Sequence, residues 1–443
     1  MKAIWLAIGF ALVVAPGQAN AKTWTVGPHD ADFPLIGPAI AASAPHDVIR
    51  IAAGVYREDL LITHSLVLVG EDGATLFGTG RGTVIDIAAA DCEIRGLTID
   101  GTGSGAGNEM DAAIRVTTSG NRIIGNRIRR AFYGVVVAGA SRNVIEGNDI
   151  AGLAAEPFGR RGDGIYLYRA PDNRVAHNRI TGMRDAIYFQ YAAGGVVEHN
   201  TVEESRYGLH DMFSNGTRIA NNVFRTSSVG ANLMNSRGLI LENNEFSHNR
   251  GIAAVGLALK ECDDSQVRGN RFVANGRGLQ LDGSSGNAFT GNRFLQNDLA
   301  IRLAASAESN VFSRNQFSGN WSDIVASGRG SSTRWEIDGA GNTWSAYAGF
   351  DFDADGIGDT PHPLSGPFER IEGRNAMARL FLQSPAADAL ALVARMSPAL
   401  EGLVDLHPVV VPASSSINSA SWMLGIGLLA SLTRGLWRRT CSS

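Results

Sequence analysis

His210, Met212 and Met234 combine residue types and spacing that suit metal chemistry. His210 and Met212 stand two apart, and Met234 follows Met212 by 22 residues. On a β-strand, residues two apart share a face. If 22 residues make one turn of a stacked fold, His210, Met212 and Met234 converge on one ion. Thioether with imidazole is a soft ligand set, better suited to Cu(I) than to zinc or calcium. The competing reading is methionine packing beneath a loop.

A second set is hard. Asp351, Asp353, Asp355 and Asp359 fall at positions 1, 3, 5 and 9 of a calcium loop, with Gly356 at position 6. Position 12 is His362 instead of the usual glutamate, so the match is incomplete. A structural calcium site competes with a solvated acidic turn. Asp211 is the anomaly beside His210, because it occupies a column held elsewhere by Leu167, Phe189, Leu233, Leu259 and Leu281. A carboxylate there needs a partner, such as Arg206 or an amide of the next turn; alternatively, a bulge turns it outward. Cys262 lies among Glu261, Asp263 and Asp264, a setting that disfavours a reactive thiolate and leaves only a weak case for a third copper ligand.

The elements that position these residues come from a repeat. Asn-x-(Ile/Val/Phe)-x-Gly-Asn-x-(Ile/Phe) recurs about every 22 residues, its second Asn at Asn126, Asn148, Asn178, Asn200, Asn222, Asn244, Asn270, Asn292 and Asn315. Helical periodicity is absent, while Ile165 and Leu167 alternate with Tyr166 and Tyr168 as in a strand. Three short strands per turn predict an all-β chain, a right-handed parallel β-helix solenoid (pectin-lyase-like) with a small C-terminal cap region. The Asn residues should stack at one turn as an amide ladder. One outward column then reads Arg115, Val136, Tyr166, Tyr188, His210, Asn232, Ala258, Gln280, Arg302. The next reads Thr117, Ala138, Tyr168, Gln190, Met212, Met234, Lys260, Asp282, Ala304.

Residues 1–21 read as a secretory signal, with Lys2, the apolar Ile4–Val14 stretch and an Ala19-Asn20-Ala21 cleavage site. Residues 22–335 form the β-helix with its N-terminal cap, including a short helix within Phe33–Ala44. Residues 336–410 form the C-terminal cap, with the Asp-rich loop and a helix after Ser384-Pro385 whose Leu390, Val393 and Ala394 cover the last turn. Residues 411–443 are a linker and tail: Trp422–Leu432 is apolar, and Arg434, Arg438 and Arg439 follow. The tail tethers the chain to a membrane, lies on the surface or is a processed sorting signal. A net charge of -4 without basic runs argues against nucleic acid. Three well-separated cysteines give no disulfide framework in an exported protein.

The stretches Gly162-Asp-Gly-Ile-Tyr-Leu-Tyr168, Arg184-Asp-Ala-Ile-Tyr188, Arg206-Tyr-Gly-Leu-His-Asp-Met-Phe-Ser214, Gly230-Ala-Asn-Leu-Met-Asn-Ser236 and Gly256-Leu-Ala-Leu-Lys260 resemble the NosD family of periplasmic β-helix proteins. So do the Gly341-Asn-x-Trp-Ser loop with its Asp run and the Phe381-Leu-Gln-Ser-Pro385 segment. The resemblance implies a non-enzymatic periplasmic role in maturing nitrous oxide reductase. Implied partners are an ABC transporter ATPase and permease, a copper chaperone and the apo-reductase. It places the family's His-x-Met on His210 and Met212, and its later Leu-Met on Leu233 and Met234. Asp211 and the tail beyond Val411 depart from the family pattern. Two other readings use the same fold. One is a polysaccharide lyase, uronate epimerase or carbohydrate-binding protein, with a sugar groove of Tyr166, Tyr188, Arg184, His210 and Asp211 and His210 as acid or base, although no matching Asp or Glu columns are evident on adjacent turns. The other is a metal-free docking scaffold.

Overall fold

A computed structural model describes residues 21–103, 110–251, 253–327, 332–364, 384, 385, 389 and 403–410. Residues 1–20 of the signal segment, the tail from 411 and the helix positions Leu390, Val393 and Ala394 lie outside the described residues. Among the described residues no helix is long and apolar enough to cross a membrane. The chain divides into two compact units, Met1–Arg218 and Ile219–Ser443.

The first unit is a parallel β-solenoid with three sheets. One full turn consists of the strands Arg174–Ala176, Arg179–Thr181 and Asp185–Gln190. The preceding turn contributes Val144–Glu146, Asp149–Ala151 and Ile165–Tyr168, each paired parallel and in register with its successor. In the short strands the central residue points inward, and Ile145, Val175, Ile150 and Ile180 are all buried. Apolar surface is thus buried in stacked columns, contributing about 25 cal/mol per Å². The corner between the first two strands of a turn takes a left-handed residue, Gly147 at φ 66° or His177 at φ 55°. That conformation explains why Gly recurs there.

The Asn that follows each such corner is buried and linked to the next. The Asn126 amide N–H donates to Asn148 Oδ1 at 2.9 Å, Asn148 to Asn178 and Asn178 to Asn200 at the same distance. Each Nδ2 also reaches a main-chain carbonyl, as Asn178 does at Ile145. The predicted ladder is therefore present in this unit. A second one, Asn121–Asn143–Asn173, runs along another corner. At the N-terminal end a seven-residue helix, Ile36–Ala42, buries Ile36, Ala39 and Ile40. Glu58 accepts the N–H groups of Ile36 and Gly37, two donors a helix start leaves unpaired.

The second unit is also a parallel β-solenoid, with turns such as Ile240–Glu242, Glu245–Ser247 and Val255–Lys260. Its core uses aromatic stacks: Phe224, Phe246, Phe272, Phe294, Phe317 and Trp344 follow one another at centroid separations of 4.1–5.4 Å. The ladder Asn222–Asn244–Asn270–Asn292–Asn315 continues to Asn342. There Asp405 closes it. Its buried carboxylate accepts the Asn342 main-chain N–H at 2.8 Å and Trp344 Nε1–H at 2.9 Å. A carboxylate has only acceptors, so it ends a chain in which every amide must both give and receive.

Candidate metal centre

In the first unit, the strands Ile165–Tyr168, Asp185–Gln190 and Tyr207–Met212 lie side by side. Their register pairs Tyr166 with Tyr188 and His210, and Tyr168 with Gln190 and Met212. Parallel in-register strands place equivalent side chains one strand spacing apart. The rings accordingly stack: Tyr166 on Tyr188 at 4.9 Å and Tyr188 on His210 at 4.4 Å, the latter pair only 8° from parallel.

His210 is 8% exposed. Its Nδ1 lies 2.9 Å from Asp185 Oδ2, and against a carboxylate that nitrogen is the donor. Nε2 is buried and has no hydrogen-bond partner. A histidine whose Nδ1–H is committed to a carboxylate presents its Nε2 lone pair, the arrangement by which proteins orient metal-binding imidazoles. Arg206 donates two guanidinium hydrogens to the same Asp185 carboxylate, which is fully buried. The Tyr188 hydroxyl donates to Met212 Sδ at 3.3 Å. Burial raises the Tyr188 phenol to about 12, so this hydroxyl keeps its proton.

Asp163 occupies the turn before Asp185 and is held by Arg184 through two hydrogen bonds of 3.0 and 2.8 Å. Burial, and then the neighbouring Asp185 carboxylate, push Asp163 up to about 6. Matching carboxylates on adjacent turns therefore do exist, contrary to the sequence reading. Each is fully buried and clasped by an arginine. There they serve as counter-ions to the guanidinium groups of Arg184 and Arg206.

Asp211 points inward. It pairs in register with Phe189, is completely buried and accepts the Thr217 hydroxyl at 3.2 Å. The core position expected from the strand phase holds, whereas the bulge is absent and Arg206 belongs to Asp185; those two expectations are corrected. Cys262 is also interior: its thiol donates to the Leu233 carbonyl at 3.3 Å, which removes it from the outward face and from the copper ligands. Met234 lies on Val229–Met234 in the second unit, where Asn232 Nδ2 donates to its sulfur at 3.4 Å.

A family described as "Periplasmic copper-binding protein (NosD)" matches residues 151–349. Two proteins named "Probable ABC transporter binding protein NosD" are each 38% identical to the chain. The one from Stutzerimonas stutzeri aligns over 82% of the chain and 86% of its own length. The one from Pseudomonas aeruginosa aligns over 86% and 94%. This chain belongs to the NosD family. The NosD match spans the whole Tyr166–Met212 face and stops just before Asp351. The fold is shared more widely: the Yersinia enterocolitica family 28 exopolygalacturonase superposes with a TM-score of 0.52 at 12% identity, over 68% of this chain and 74% of that one.

Among the Asp-loop residues of this NosD chain, Asp351, Asp353 and Asp359 bring one carboxylate oxygen each within 4.8 Å of one another. Asp355 is outside that group, its Oδ1 accepting the Ile357 N–H at 2.7 Å. Asp351 Oδ1 is buried with no hydrogen-bond partner, while Asp351 Oδ2 accepts the Gly356 N–H. His362, at the twelfth position, packs against Trp344 at 5.2 Å, and burial holds its imidazole below the usual range.

The sequence reading missed Asp163 and Asp185, placed Arg184 only in a sugar groove, and offered Arg206 to Asp211 when it pairs with Asp185. The signal was available: Asp163 and Asp185 are 22 residues apart, as are Arg184 and Arg206, the period of the repeat.

Proposed function

We propose that this NosD protein is a periplasmic accessory protein that takes up Cu(I) through His210 and Met212. In this reading it works with an ABC-type transporter and a copper chaperone in supplying copper to nitrous oxide reductase. His210 carries the proposal. Its Nδ1 is committed to Asp185, its Nε2 is buried without a partner, and a thioether stands two residues further along the strand. An unpartnered buried nitrogen is unfavourable by about 1–3 kcal/mol, and a soft cation would use that lone pair together with the Met212 sulfur. The family description as copper-binding and periplasmic supports the cargo and the compartment. The relatives' names support binding in preference to catalysis, and a transporter as partner.

The test is an anaerobic Cu(I) titration against a chromogenic competitor. Wild type should bind, and His210→Ala and Met212→Leu should each weaken binding at least tenfold, since leucine keeps volume but lacks the donor sulfur. Met234→Leu is a separate arm. In a host that respires nitrous oxide, fully copper-loaded reductase in the presence of the Met212→Leu/Met234→Leu variant would refute metal handling by these sulfurs and favour the docking scaffold.

For the Asp-rich loop we propose a structural calcium ion held by Asp351, Asp353 and Asp359. The partnerless buried oxygen of Asp351 supports it, because a bound cation would supply the missing interaction.

A further inference from the structure

Tyr188 touches both residues of the copper reading. Its ring lies flat on the His210 imidazole at 4.4 Å, and its hydroxyl sits on the Met212 sulfur at 3.3 Å. The ring is also held from the other side by Tyr166 at 4.9 Å. Clamped between two rings, it has little freedom to swing away.

The hydroxyl contact repeats a pattern with one change. Tyr166 reaches diagonally to the next turn and donates to Gln190 Oε1 at 2.7 Å, 24 residues on. Tyr188 makes the same diagonal reach, again 24 residues on, but finds a thioether. An amide oxygen is a strong acceptor and a thioether sulfur a weak one. The Tyr166 bond therefore locks its ring in place, whereas the Tyr188 bond is readily exchanged. It also engages sulfur electron density that a soft cation would use.

Resting on the Cu(I) reading of His210 and Met212, we infer that Tyr188 is an affinity-setting residue whose hydroxyl caps the Met212 sulfur and competes with the ion. Loading turns the O–H hydrogen off the sulfur by rotation about the phenol C–O bond, the ring staying in its stack; on release it turns back and covers the donor. Only the hydrogen bond to sulfur is exchanged; the covalent O–H bond stays intact, and the copper keeps its oxidation state. The exchange lowers the net gain on binding, which suits a carrier that must hand its cargo on. The stack on His210 serves a different end, keeping the imidazole plane fixed beside Asp185.

Tyr188→Phe retains the ring and deletes the hydroxyl, so it separates the two roles. Competition titration with Cu(I) alone should show Tyr188→Phe binding about two- to tenfold more tightly than wild type, the span of one neutral hydrogen bond. Transfer of Cu(I) to a chelator should slow correspondingly. Phenol absorbance near 280 nm should shift when wild type is loaded, and the shift should shrink in Tyr188→Phe. In a Met212→Leu background Tyr188→Phe should change nothing, because no sulfur remains to be capped. Unchanged or weaker binding by Tyr188→Phe, while Met212→Leu still weakens it, would overturn the cap and leave the copper site standing. Wild-type affinity in both His210→Ala and Met212→Leu would remove the site and the cap together. Tyr188→Leu, which loses the stack as well, checks the ring: it should disturb His210 and weaken binding even though the hydroxyl is gone.

Discussion

Asp185 and His210 meet across adjacent turns, Oδ2 to Nδ1 at 2.9 Å, while Arg206 donates to both oxygens of the same carboxylate. The Nδ1 edge of the imidazole is thereby fixed against Asp185, whose charge Arg206 balances. Asp185→Asn removes that balance and sets an amide NH2 against donors. Stability should fall by about 2–3 kcal/mol, below the full penalty for a broken buried pair because Arg206 reaches solvent. Cu(I) affinity should fall about 10–100-fold, as when an outer partner of a ligating histidine is lost. A folded variant with wild-type affinity would reduce Asp185 to a counter-ion for Arg206.

Asp163 gives a pH signature. Its carboxyl is raised from 3.8 to about 6 by burial and by Asp185. Between those values the folded state holds more protons than the unfolded chain. The contribution of Asp163 to stability is therefore full below about 4 and is lost as pH rises through about 6. Asp163→Asn does not titrate. The melting temperature of wild type relative to Asp163→Asn should fall between pH 4 and 6.5, then level off. A constant difference would mean that Arg184 keeps Asp163 charged throughout.

The amide ladder predicts a local loss. Asn222 donates its main-chain N–H and its Nδ2 to Asn244 Oδ1, at 3.0 and 2.9 Å, both buried. Asn222→Ala leaves that oxygen with one donor fewer and should destabilise the protein by about 1–3 kcal/mol. The change should appear as a lower denaturant midpoint with an unchanged slope.

For the Asp-rich loop, chelation should lower the melting temperature by several degrees, since an ion at a hundred times its dissociation constant adds about 2.7 kcal/mol. Asp353→Ala should abolish that sensitivity and leave Cu(I) binding untouched. Superimposable melts with and without chelator would return the loop to a solvated turn.

The 22-residue period alone determined the solenoid, the Asn ladder and the column that carries Tyr166, Tyr188 and His210. A parallel in-register stack repeats its side-chain environments once per turn, so a buried amide or an outward ring must recur at the same interval in the chain. The strand phase likewise gave Asp211 a core position, and only tertiary structure chose between an inward carboxylate and a bulge. The carboxylate is inward, where the Thr217 hydroxyl donates to it. The pairing of Arg206 with Asp185, the partnerless Nε2 of His210 and the reach of Tyr188 to Met212 were also decided in three dimensions. Those contacts run diagonally between turns and depend on side-chain torsions and burial, which spacing in the sequence does not fix. Periodicity specifies which residues share a column; packing specifies which of their atoms meet.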